Sequence, residues 1–320
     1  MRWMVVLTGV LLAGCAIAAG TWPTRAVRVI ATSPPGGSVD LLARIAADEF
    51  TRVLGQPFVV ENRPGANGNI GVDLVLKAPA DGQQLFVAPP GPFSINARLM
   101  ASMPFDPHAD IAPVGLLGVS PLLLAVHPSV PAGALPELIV WMRARAGRVD
   151  YASQAVGSTG HLAMELFKTL AGVEATHIPY KGSAAQATTD LLAGRVLISF
   201  VNTSTALPYV RTGELRAIAV AEKTRIASAP QIPTLDESGL PGFEATPWLG
   251  LGARSGTPRE IVERLNEIAQ QALARPDIVE RLRRIGIEPR PMSPAQFAAF
   301  IHTETDKWSE IIRRSGARAE

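Results

Sequence analysis

Cysteine is almost missing from this 320-residue chain. Cys15 is the only one, so no internal disulfide and no cysteine metal cluster can form, and stability has to come from packing. Charge is sparse as well: Asp, Glu, Lys and Arg make up 18% of the residues and the formal net charge is only +2. No dense Lys/Arg patch is interleaved with the few aromatics, so nothing points to a nucleic-acid partner. His108, His127, His161, His177 and His302 are scattered without H-E-x-x-H spacing, and no metal site is expected. The G-x-S-x-G elbow of many hydrolases is absent. Gly65-x-x-Gly68-x-x-Gly71 is not the dinucleotide fingerprint, and the strand after it ends in Val87-Ala88-Pro89 without an acidic residue, so no cofactor is expected. No internal repeat of solenoid period occurs.

The N-terminus has no run long enough to cross a bilayer. Val5 to Ala13, after Met1-Arg2, is the short apolar core of an export signal over residues 1–20. Two cleavage sites compete. Leu12-Ala13-Gly14-Cys15 has the form of a bacterial lipoprotein box, which would lipidate Cys15, whereas Ala16-Ile17-Ala18 suits ordinary signal peptidase.

What the chain has in quantity is apolar residues, at 47%, enough for two domains of about 150 residues each. Short β-branched runs alternate with amphipathic stretches, which predicts an α/β fold with mainly parallel sheets. Strands are expected at 26–31, 58–62, 84–88, 149–153, 175–179, 196–201 and 215–220, with helices between them. The stretch Pro89 to Asn96 reads as a loop. Val114 to Val126 and Trp248 to Gly252 are the natural crossings between two lobes, which divides the chain into 22–124 plus 246–320 and 125–245. Three helices close it: 258–274, 276–285 and 294–314, each opened by proline.

The first strand runs into Thr32-Ser33-Pro34-Pro35-Gly36-Gly37-Ser38-Val39-Asp40 and then a helix. The two glycines permit unusual backbone angles, Ser38 or Asp40 can cap the helix, and the exposed N–H groups at its positive end favour a carboxylate or phosphate. Gly157-Ser158-Thr159-Gly160-His161 repeats this design in the second half. Ser158 and His161 also have the residue types of a hydrolase, although their spacing suits capping better. Lys181 beside its turn reads as a solvated lysine.

Pro35-Gly36-Gly37-Ser38-x-Asp40, Val60-Glu61-Asn62-Arg63-Pro64-Gly65-Ala66-Asn67-Gly68-Asn69-Ile70-Gly71, Gly157-Ser158-x-x-His161-Leu162, His177-Ile178-Pro179-Tyr180-Lys181-Gly182, Trp248-x-Gly250-Leu251 and Gly256-Thr257-Pro258 occur in that order. Together they resemble the Bug family of periplasmic solute-binding receptors of tripartite tricarboxylate transporters. The resemblance implies a type II periplasmic-binding-protein fold, a Venus flytrap of two lobes joined by two crossing strands. It also implies a non-enzymatic, monomeric receptor that holds a small carboxylate, whether dicarboxylate, acidic amino acid or aromatic acid. The receptor would hand that ligand to membrane transporter subunits or report it to a sensor kinase. Carried onto this chain, the resemblance implies that Gly36, Gly37 and Ser38 hold the near carboxylate and that Ser158 and Thr159 close from the second lobe. Asn69, Ser94, Asn96, Asn202 and Ser204 are the candidates for the far end. The competing expectations are an exported hydrolase using Ser158 and His161, and an interaction protein with a vestigial cleft.

Overall fold

The structure, a computed structural model, describes residues 22–180 and 183–318. The expected export signal with Cys15, and Lys181, lie outside the described residues. Apolar β-branched runs between turns form β1 (Val27–Ala31), β2 (Phe58–Asn62) and β3 (Gln84–Ala88), separated by α1 (Ser38–Leu54) and α2 (Asn69–Leu76). β1 pairs in parallel with both neighbours, placing Val29 opposite Val60 on one side and Leu85 on the other. After β3 the expected loop is instead helical, a π-helical turn at Gly91–Ile95 running into α3 (Asn96–Leu99). Prolines at its start do not prevent this, because the first N–H groups of a helix have no internal acceptor to lose.

The long apolar run divides into two strands of different sheets, β4 (Ile111–Val119) and β5 (Leu122–Val126), with Ser120-Pro121 between them. Pro121 has no N–H for a ladder, so the chain changes sheet there. β5 therefore lies wholly in the second sheet, ahead of the expected division between 124 and 125. The second lobe continues through α4 (Leu135–Arg143), β6 (Asp150–Ser153), α5 (Thr159–Ala171), β7 (Thr176–Pro179), α6 (Ala184–Leu192), β8 (Ile198–Asn202), α7 (Thr203–Thr212) and β9 (Arg216–Val220). The chain returns through β10 (Trp248–Arg254) and ends in α8 (Arg259–Leu273), α9 (Pro276–Arg284), β11 (Glu288–Pro289) and α10 (Pro294–Ser315).

The first sheet has the order β11-β4-β10-β3-β1-β2 and the second β7-β6-β8-β5-β9. Most strands in each run one way; β10 and β11 oppose the rest of the first sheet, and β5 opposes the rest of the second. Each sheet buries its own core, around Phe50 and Leu265 in one lobe and around Tyr151 and Phe167 in the other.

Expected as part of the first lobe, α10 in fact serves both. Phe297 and Ile301 pack with Phe93 and Trp248, while Trp308, Ile311 and Ile312 join the core of the second lobe. Between these two groups the buried Glu304 accepts from both Trp248 Nε1 and Trp308 Nε1, each at 2.9 Å through the same Oε2. One carboxylate oxygen thus ties the return strand to the far lobe.

Candidate functional site

The turn after β1 is organised by its own carboxylate. Gly36, at φ +82°, points its N–H at Asp40 Oδ2 (2.9 Å), and Asp40 also accepts from Asn62 Nδ2 at 2.9 Å and pairs with Arg44 at 2.9 Å. Burial alone would raise the Asp40 carboxyl, but the Arg44 guanidinium, the Gly36 N–H and the Asn62 amide together hold it below the ordinary carboxylate value. Asp40 is therefore not the helix cap. The cap position is Gly37, which makes no side-chain bond and has an ordinary extended backbone at φ −75°. Only Gly36 of the pair needs the left-handed region. Half-buried Ser38 is the first helical residue, and among the described residues no acceptor meets the N–H groups of Ser38 and Val39. These are the free donors, at the positive end of the α1 dipole, that an anion needs.

The second turn has the same plan with a different acceptor. Gly157, at φ +75°, points its N–H at Nδ1 of His161, 3.0 Å away, and His161 N–H in turn donates to Ser158 Oγ (3.3 Å). Ser158 is thus the true cap of α5. Its oxygen is used as an acceptor, which leaves its own proton to donate. Among the described residues the N–H groups of Thr159 and Gly160 meet no acceptor, so this turn also presents free donors.

Beneath the second turn lies a buried polar network. The His161 ring stacks on His177 with centroids 4.0 Å apart, and His177 Nε2 is 2.6 Å from Ser153 Oγ. Glu165 accepts from Tyr151 OH at 2.6 Å and from Lys168 Nζ at 2.8 Å. Burial and then the Lys168 charge bring His161 down to about 4, and burial with the neighbouring His161 brings His177 down to about 3. Both imidazoles are neutral at pH 7. Burial and the Glu165 carboxylate push the Tyr151 phenol above its usual value, so it keeps its proton.

The second turn is tied to the first lobe through Asn67, which sequence reasoning did not single out. It lies in a 3-10 turn at Ala66–Gly68 with φ +55°, and the Asn67-Gly68 pair is the signal that foretells such a backbone. Its Nδ2 donates across the gap to Val156 O at 3.4 Å and within its own lobe to Asn96 Oδ1, also at 3.4 Å. Close by, a Cβ on Gly157 would stand 1.8 Å from Leu99 Cδ2, so α3 of the first lobe packs directly on the glycine of the second.

Other candidates sit differently from expectation. Asn69, Ser94 and Asn96 are fully buried and bonded internally. Asn96 Nδ2 donates to Asn69 Oδ1 at 2.7 Å, Asn69 Nδ2 faces the sulfurs of Met100 and Met103, and Ser94 Oγ donates to Pro90 O at 3.0 Å. These residues brace the turn that carries Asn67. Asn202 Nδ2 donates to Ser120 Oγ at 2.7 Å, at the crossing between sheets, and Ser204 packs against Gly286 of the first lobe. Both sit where the two lobes meet. A groove of about 770 Å³ occurs in the second lobe, beside Leu135, Val210, Arg216 and Ile232, and is lined by neither turn.

Residues 42–317 match the family described as Tripartite tricarboxylate transporter family receptor. Over 323 aligned residues the chain is 37% identical to BugT of Bordetella pertussis, an alignment spanning 99% of each protein. An R. palustris protein solved with adipate is 38% identical, with a TM-score of 0.85 over 93% of this chain and 99% of that one. MatC of Rhodopseudomonas palustris, solved with malate, is 31% identical, with a TM-score of 0.81 over 91% of this chain and 100% of that one.

Proposed function

Because the chain belongs to the tripartite tricarboxylate transporter receptor family, the Bug receptors, we propose that it captures a small organic acid, foremost a dicarboxylate, between its two lobes. The family's receptors are periplasmic, and no helix among the described residues is long and apolar enough to cross a membrane. One carboxylate is held by the free N–H groups of Ser38 and Val39 and the Ser38 hydroxyl, beside Gly36 and Gly37. From the other side come the N–H groups of Thr159 and Gly160 and the proton of Ser158. The observation that carries this reading is the shared plan of the two turns, each leaving backbone N–H groups unmet at the start of its helix, with the bond from Asn67 to Val156 O supporting an approach of the second turn to the first lobe. Two helix dipoles then point their positive ends at the same anion, so no arginine is required.

The ligand's other end meets groups that vary with pocket shape, and relatives solved with adipate and malate support a dicarboxylate. The receptor then acts as a monomer that presents its closed form to membrane subunits of a transporter or to a sensor. Lipidation of Cys15 would tether it to the membrane. A hydrolytic role has little support, because the bond between Ser158 Oγ and His161 is made by the His161 backbone N–H, while the ring turns Nδ1 to Gly157 N–H and Nε2 toward Glu165.

Thermal unfolding of the mature protein against a panel of dicarboxylates, acidic amino acids and aromatic acids tests the proposal. An acid at a hundred times its dissociation constant adds about 2.7 kcal/mol to stability. Absence of a shift with every acid would remove the receptor reading for this chain.

A further inference from the structure

His161 lies outside the set of groups that touch the ligand in the reading above, yet it makes two separate bonds to the turn that does. The backbone bond, from His161 N–H to Ser158 Oγ, would survive any side-chain change except proline. The other bond depends on the imidazole: Gly157 N–H donates to Nδ1, and both groups are buried. Nδ1 can accept only when it carries no proton, so the ring has to be the neutral tautomer with its proton on Nε2.

The surroundings favour that state from every side. From α5 itself come Glu165, with Oε1 3.9 Å from His161 Nε2, and Lys168, whose ammonium is bonded to that same carboxylate. From β6 come Tyr151, whose hydroxyl donates to Glu165, and Ser153, paired with His177. From β7 comes His177, stacked on the face of the His161 ring. The Glu165 charge is balanced by Lys168, and no second carboxylate is present in this cluster to favour an imidazolium.

We propose that His161 is a positioning residue for ligand capture: its neutral Nδ1 holds the Gly157 N–H inward, which turns the N–H groups of Thr159 and Gly160 and the Ser158 hydroxyl outward toward the acid. Without that acceptor Gly157 N–H would be a buried donor without a partner, and the turn would rotate to satisfy it. The peptide planes that follow would rotate with it. The inference rests on the proposed capture of an organic acid between the lobes.

Two substitutions separate positioning from packing. His161→Phe keeps a flat ring for stacking on His177 but has no acceptor, whereas His161→Asn loses the ring and places an amide oxygen close to the position of Nδ1. Titration calorimetry with adipate and with malate is expected to show affinity falling about tenfold or more in His161→Phe, with His161→Asn restoring most of the loss. Phe binding as tightly as the wild type, or Asn binding as weakly as Phe, overturns the inference. Wild-type protein that binds neither these nor any other acid of the panel overturns the receptor reading instead. In the wild type, long-range proton–nitrogen NMR spectra of the imidazoles, assigned with the Asn variant, are expected to show His161 protonated on Nε2 alone at pH 7. A proton on Nδ1 refutes the inference whether or not the variants fold.

Discussion

The turns that open α1 and α5 are built on one plan and stabilised by opposite chemistry. In each, a glycine in the left-handed region gives its N–H to the side chain four residues ahead: Gly36 to Asp40 in the first lobe and Gly157 to His161 in the second. The acceptor is a carboxylate in one and a neutral imidazole in the other. A carboxylate beside an anion seat would repel its ligand, and the first turn offsets this with Arg44 and Asn62. The second turn adds no negative charge and needs no such cation. The surroundings differ too: nothing lies within 4 Å of a Cβ placed on Gly36, whereas one on Gly157 meets Leu99. In the proposed site, similar turns thus have separate tasks: a solvent-facing seat in one lobe, and a contact surface as well as a seat in the other.

The sharpest way to break this comparison is to add a methyl group to each glycine. Gly157→Ala combines backbone strain with a clash against buried Leu99, and its affinity for an organic acid should fall about a hundredfold. Gly36→Ala has the strain alone, and should cost about 1 kcal/mol of stability with affinity within about threefold of wild type. Calorimetry and urea unfolding of the two variants give the test; equal losses of affinity would mean that the contact with Leu99 has no part in closure.

A second effect of intermediate size lies in the acid response. Asp40 is held below its usual value of 3.8, so its contribution is present above that pH and is lost as pH falls further. His161 is lowered from 6.5 to about 4, so the unfolded chain takes up its proton first and stability falls between those values, while above 6.5 it is flat. His177 acts in the same sense. Urea midpoints measured against pH should therefore show His161→Phe reducing the slope between 6.5 and 4, and Asp40→Asn changing it only below about 4. Interchanged windows would show that the acceptors are charged differently from this account.

The smallest effect belongs to Gly37, the other glycine of the first turn. Its φ is −75°, and a Cβ there meets only Pro34 O and Ser33 Oγ at an ordinary 3.5 Å. Gly37→Ala should stay within about 0.5 kcal/mol of wild type in unfolding and melt as a folded protein. A large loss would place Gly37, not Gly36, at the centre of the turn.

Most strands and helices were legible because local signals agreed: β-branched runs bounded by Gly and Pro, and apolar residues at helical spacing. Departures came where tertiary contacts outweighed local signals. Pro89 to Asn96 reads as a loop, but Phe93 and Ile95 are fully buried, and the segment winds into a helix that puts them there. The unbroken apolar run to Val126 hid the change of sheet at Pro121. The glycine turns themselves were legible, but not which glycine carries the strain or which side chain faces its N–H. Asn69, Ser94 and Asn96 have the residue types of a ligand site, yet they spend their polar groups on neighbouring protein groups. Residue type gives no measure of whether a donor faces a ligand or another side chain.

By itself the sequence determined the family, the alternation of strands and helices, and the two glycine turns that open helices in different halves of the chain. Those properties come from residues close together in the chain, where propensity, capping and backbone freedom act directly. Only the tertiary structure decided that Asn67 reaches Val156, that Leu99 fills the space over Gly157, and that Glu304 joins indoles of the two lobes. Each depends on the packing of groups far apart in sequence, and local preference carries no record of which distant surface will be buried against which.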